Sequence, residues 1–264
     1  MTTTTVSAPT QARNVLASEW IKLRSVRSTY LVLLFAAAAV GIGYLVARAD
    51  VTHSSMSAAE KAAFDPVSSS FTGLGLAQLA FGALGVLVIS SEYTTGLIRT
   101  TLAAVPRRRA VLAAKAAAVG AVTLLAGELI AVATFLAGQQ ALSAQHLNVT
   151  LAHPGALRGV LAAGFYLAVM AWVGLGLGAV IRHTAGAITA MVGVVFLLPQ
   201  IVHALPAPWD TRIGRLTLDG AAQQMIAQHP HAGYFSAGPS FLIVAAYAAA
   251  AIAAAAFVIT RRDA

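Results

Sequence analysis

Six long apolar runs separated by polar stretches dominate the chain, at about Tyr30–Ala47, Phe71–Ser90, Val111–Ala137, Gly159–Ile181, Ala187–Leu205 and Phe241–Thr260. None alternates polar and apolar positions as a half-buried strand would. Each is roughly long enough to cross a hydrocarbon core of ~30 Å. A backbone facing lipid must satisfy its own hydrogen bonds, so each run is predicted to be a membrane-spanning helix. The expected fold is an all-α integral membrane protein with six spans. The third run is over-long, and Lys115 near its start is expected to snorkel to the interface. Pro199 falls inside the fifth and predicts a kink or break there. Only residues 182–186 separate runs four and five, which predicts a tight helical hairpin.

The polar stretches carry their own patterns. Residues 1–12 are rich in Thr and read as a disordered tail without the features of a secretory signal. In 13–28, Leu16, Trp20 and Leu23 recur at helical spacing, with Lys22, Arg24 and Arg27 on the polar side. An amphipathic helix with Trp and basic residues favours the membrane interface. The stretch 91–115 lies between runs two and three, and its charge would not be tolerated in lipid. Tyr93, Leu97, Ile98, Leu102 and Val105 are helically spaced. That spacing predicts a short amphipathic helix over 92–105, with Glu92 in its first turn, where the helix dipole favours an acid. Pro106 ends it, and Arg107, Arg108 and Arg109 follow as a basic anchor. Two further connections are substantial. Residues 48–70 are polar and small. Residues 206–240 contain Trp209, Tyr234 and Phe235, together with a helical pattern over Leu218, Ala221, Ala222, Met225 and Ile226 that Asp219 could N-cap.

Composition agrees with the runs. Of 264 residues, 58% are hydrophobic and only 10% charged, with a mean hydropathy of +0.78. Soluble domains are about a quarter charged. The absence of cysteine rules out disulfides and thiolate chemistry. A net charge of +8 could point to nucleic acid, but its distribution favours a topology signal. With the N-terminus inside, twelve of the seventeen Lys and Arg residues fall on the inner side and five on the outer. That asymmetry predicts two cytoplasmic termini in a multi-pass plasma-membrane protein, with lipid rather than nucleic acid as its surroundings.

Little in the chain carries chemistry. No GxxxxGK[ST] loop is present, so the chain cannot cradle ATP phosphates in the usual way. Neither a nucleophile–base pair nor an HExxH motif occurs, so the chain is not expected to be an enzyme. His229 and His231 flank Pro230, but two imidazoles are too few for a metal site. Gly174 and Gly178 have the spacing that lets helices approach closely, and are read as packing residues. Glu128 lies within the third run, where a carboxyl is costly. It is the candidate pathway residue, with a hydrogen-bonded packing role near Gln78, Gln200 or His203 as the alternative.

Glu92-Tyr93, Gly96, Ile98-Arg99, Leu102, Pro106-Arg107-Arg108 and Lys115 resemble the cytoplasmic loop of type-2 (ABC-2) ATP-binding cassette exporter permeases. The likeness extends to Glu19-Trp20-Ile21-Lys22-Leu23-Arg24 and to Arg261-Arg262-Asp263. It implies that the loop is a coupling helix, with Glu92, Tyr93, Gly96, Leu97, Arg99, Leu102, Pro106, Arg107 and Arg108 facing a separate ATPase. It implies that the N-terminal helix, through Leu16, Trp20, Lys22, Leu23 and Arg24, abuts the same partner. It further implies two permease chains and two ATPase subunits, with no cofactor in this chain and ATP bound by the partner. The expected function is therefore the membrane-spanning subunit of an exporter. The alternative is an ion-coupled carrier or a membrane scaffold that uses Glu128 without an ATPase.

Overall fold

A computed structural model describes residues 16–22, 27–53, 57, 61, 64–104, 107–229 and 231–261. Among them there are helices and no strands. Residues 16–22 form α1. It is followed by α2 (Arg27–His53), the short α3 (Pro66–Ser69), α4 (Leu74–Thr94), α5 (Leu97–Ala104), α6 (Arg108–Leu142) and α7 (Ala156–Ile181). An interrupted helix, α8, covers Thr184–His203. The chain ends with α9 (Trp209–Gly214), α10 (Leu218–Ile226) and α11 (Ala237–Arg261). Six of these (α2, α4, α6, α7, α8 and α11) are long and apolar enough to cross a membrane. The protein is thus an all-α, multi-pass membrane protein with six spans.

The spans are not equivalent. Helix α7 is the post around which α4, α6 and α11 pack, whereas α2, α8 and α11 leave most of their length uncovered. Small residues make the inner contacts possible. A methyl group on Gly174 would run into the Gly82 carbonyl of α4, one on Gly85 into the Ala171 carbonyl of α7, and one on Gly178 into Ile89. Backbones therefore touch along the α4–α7 seam, where dispersion and close packing must hold helices together because lipid supplies no hydrophobic drive. The Gly174/Gly178 spacing, which predicts close helix packing, is used within the chain.

Several local expectations are corrected. Span five begins at Thr184 rather than 187, because the His183 side chain accepts from the Gly186 N–H and caps it. Arg182, in the left-handed region, and His183 make the tight turn from span four. The disturbance expected at Pro199 is a π-helical stretch at Gly193–Leu197, just ahead of the proline. Such a stretch absorbs the bond that proline cannot donate. Asp219 does not cap α10; Thr217 does, its hydroxyl accepting from the Gly220 N–H at 3.1 Å. At that end of the bundle Asp65 caps α3 and also accepts from the Gln228 N–H at 2.8 Å. Gln139 of α6 donates to Ser70 at 2.7 Å. These bonds clamp the connecting segments onto the ends of spans two, three and four.

Candidate functional site

The other end of the bundle gathers α1, the end of α4, α5, the start of α6, the α7–α8 turn and the end of α11. The predicted loop helix differs from expectation here. Gly96 adopts φ +71°, a conformation that costs glycine little and other residues more. It splits the predicted helix in two. Glu92 and Tyr93 belong to the last turns of span two, and only Leu97–Ala104 forms the separate helix α5.

Glu92 therefore sits at the negative end of a helix dipole and is 4% exposed, a placement that disfavours a carboxylate. Two ammonium groups offset it. Lys115 of α6, 2% exposed, donates to Glu92 at 3.0 Å and to Glu19 of α1. Lys22 donates to Glu19 at 2.7 Å and to Glu92 at 2.8 Å. Glu19 itself is 1% exposed. Lys115 is thus not a snorkelling residue. It lies inside a neutral cluster of two acids and two bases that fastens α1, α4 and α6 together. Burial opposes the charge of Lys22, but hydrogen bonds and charge from Glu19 and Glu92 outweigh it and raise its pKa above the usual 10.5. The second Glu92 oxygen, Oε2, is buried and makes no hydrogen bond.

Around this cluster further bonds lace the same end. The Arg182 guanidinium lies 5.0 Å from the centre of the Tyr93 ring, Thr184 donates to Ser90 at 2.8 Å, and Arg108 donates to the Ile259 carbonyl at 3.1 Å. On α5, Ile98 is 2% exposed and anchors the helix, whereas Leu97 is 43% exposed beside exposed Arg99. Arg107 is exposed too. On α1, Leu16, Trp20 and Ile21 face outward while Glu19 points into the protein. Leu23, Arg24, Val105 and Pro106 lie outside the described residues, as does the side chain of Leu102. What remains is an end of the bundle pinned by ion pairs, on which Leu97, Arg99 and Arg107 of one segment and Trp20 of α1 are exposed.

Among the described residues Glu128 is hydrogen-bonded to none of Gln78, Gln200 and His203. It packs against Gly164 of span four, where a methyl group would strike its carboxyl carbon, and it makes no hydrogen bond within the described residues. Gln78 instead accepts from Tyr166. Gln224 meets His231 at 2.6 Å, and His229 is exposed.

Sequence reasoning missed Glu19 as a partner of Lys115. A signal was available. In a chain with nine acids, Glu19, Glu92 and Lys115 all sit beside apolar runs, and charges removed from water need counter-charges. Comparison with known protein families and with curated proteins finds no match for this chain.

Proposed function

We propose that the chain is the membrane-spanning subunit of an ATP-driven exporter, worked by a separate ATPase subunit that docks on α5 and α1. The observation that carries this reading is the Glu19–Lys22–Glu92–Lys115 cluster. A push on α1 or α5 reaches spans two and three with little slack, because α1 is salt-bridged to both spans and α5 joins span two through a single turn. The exposed Leu97 and the neighbouring arginines are surplus to what a topology-setting loop needs, and they suit a protein partner. The resemblance of residues 92–115 to the coupling loop of type-2 ABC exporters points the same way. In this scheme nucleotide stays on the partner. Its closure moves the pinned end as a rigid body and switches the bundle between inward- and outward-facing states. The cluster end is then cytoplasmic, and a second permease chain covers the exposed faces of the outer spans.

Co-purification with the candidate soluble ATPase tests this. Leu97→Glu is expected to abolish the association while the chain still inserts and runs as a monodisperse species. Retained association would show that α5 is not the docking face. A carrier mechanism centred on Glu128 is the second reading, favoured by the lack of a hydrogen-bond partner for that carboxyl. It requires Glu128→Gln to stop transport without any ATPase present.

A further inference from the structure

At the end of the bundle opposite the charged cluster, a cavity of about 390 Å³ lies between α3 with the turn that follows it, the start of α4, the middle of α7, and α10. That is within the size range of small-molecule sites. Its polar lining comprises Gln78, Tyr166, Gln223 and His231, with Ser68, Ser69 and Thr72 at the α3 side, and Phe71 and Leu74 supply apolar surface. It holds one carboxylate, Asp219, and neither lysine nor arginine. One Asp219 oxygen, Oδ2, accepts from the Gln223 amide at 2.8 Å. No cation pairs with this carboxylate among the described residues, although the chain carries seventeen Lys and Arg. Burial holds the Asp219 carboxyl above its ordinary value, only partly opposed by Gln223 and by His203 nearby. A half-buried acid with no lysine or arginine against it and only the His203 imidazole nearby, flanked by neutral hydrogen-bonding groups and an aromatic ring, matches a ligand that brings its own positive charge.

We infer that this cavity binds a small organic cation, an amine whose ammonium group meets Asp219 and whose apolar body lies against Phe71 and Leu74. The amides and hydroxyls around it satisfy the remaining N–H groups. A negatively charged ligand would face a carboxylate with no lysine or arginine in the lining to offset it, and is selected against. This deepens the exporter reading, on which the role of the cavity as a station for transported cargo rests. Binding itself needs no ATPase.

The experiment uses the full chain alone in lipid nanodiscs, without ATPase. Three probes of matched shape are titrated by calorimetry: 4-phenylbutylammonium, 4-phenylbutanol and 4-phenylbutyrate. The ammonium ion is expected to bind at least tenfold more tightly than the alcohol, and the carboxylate not to bind. Asp219→Asn is expected to abolish the preference for the ammonium ion over the alcohol. Gly75→Leu provides a second, fold-preserving variant. A Cβ at Gly75 meets nothing closer than the Gln78 amide at 3.9 Å, so the first carbon of a side chain is accommodated at the cavity wall, and the leucine should narrow the cavity and block binding. Equal binding of alcohol and ammonium ion, tighter binding of the carboxylate, or an unchanged preference in Asp219→Asn overturns the assignment. So does undiminished binding in Gly75→Leu, which would place the ion elsewhere. Failure of the ATPase to co-purify would sink the exporter reading and leave these binding results standing.

Discussion

Lys115→Met removes the buried charge at the centre of the cluster while keeping the length and apolar stem of the side chain. It leaves Glu19 and Glu92, both nearly inaccessible to water, sharing Lys22 alone. Breaking a buried ion pair costs about 3–5 kcal/mol, because the abandoned charge stays desolvated. Lys22 remains within 2.8 Å of both acids and is partly exposed, which places the expected loss at the lower end, about 3 kcal/mol. For a chain of this size that corresponds to a fall in melting temperature of roughly 6–12 °C. Thermal unfolding in detergent measures it, with exposed Arg107→Gln as a control expected to stay within about 0.5 kcal/mol. The double variant Lys115→Met with Glu19→Gln restores neutrality and should lose less than the sum of the two single changes, the coupling expected of residues in one ion-pair network. Because the chain contains no cysteine, Trp20→Cys also provides a single label on α1. Its accessibility should rise in Lys115→Met as the helix comes loose. A loss within the range of the Arg107 control, with additive doubles and unchanged labelling, would refute the view that the cluster holds α1 to the spans.

Two further outcomes follow from the same geometry. Gly174→Val places a branched side chain against the Gly82 carbonyl. It should cost at least the 1–3 kcal/mol of an overpacked core, read as a lower melting temperature, and stability equal to wild type would show that the α4–α7 seam is looser than described. Lys22 has a folded pKa raised above its ordinary value, so its stabilisation is complete below the unfolded value of 10.5 and is lost as pH climbs through the folded one. The stability gap between wild type and Lys22→Gln should therefore be flat from about pH 6 to 9 and close only as pH climbs past the ordinary 10.5. A gap that shrinks between pH 6 and 8 would assign the effect to another group.

The spans were legible because apolar runs of that length have few alternatives, and the packing role of Gly174 and Gly178 was legible because only close helices need such spacing. The errors arose where the local pattern continued across a break. Tyr93, Leu97 and Ile98 keep helical spacing through Gly96, so periodicity joined two helices that a left-handed glycine separates. Lys115 was misread because each charge was weighed against solvent rather than against Glu19, 96 residues away, and no local pattern carries such a pairing. Thr217 and Asp219 are both good cap residues two positions apart, and the extended backbone at Thr217 decides between them. The cavity around Asp219 draws on four separate segments, which only the assembled fold brings together.

The central claim is that the pinned end of the bundle is the surface on which a cytoplasmic ATPase acts. A single cysteine at Leu97, in cells that also express the candidate ATPase, tests it through a short bifunctional cross-linker. The account predicts a cross-link to the ATPase and no labelling by a membrane-impermeant thiol reagent added outside. Labelling from the exterior medium would contradict it.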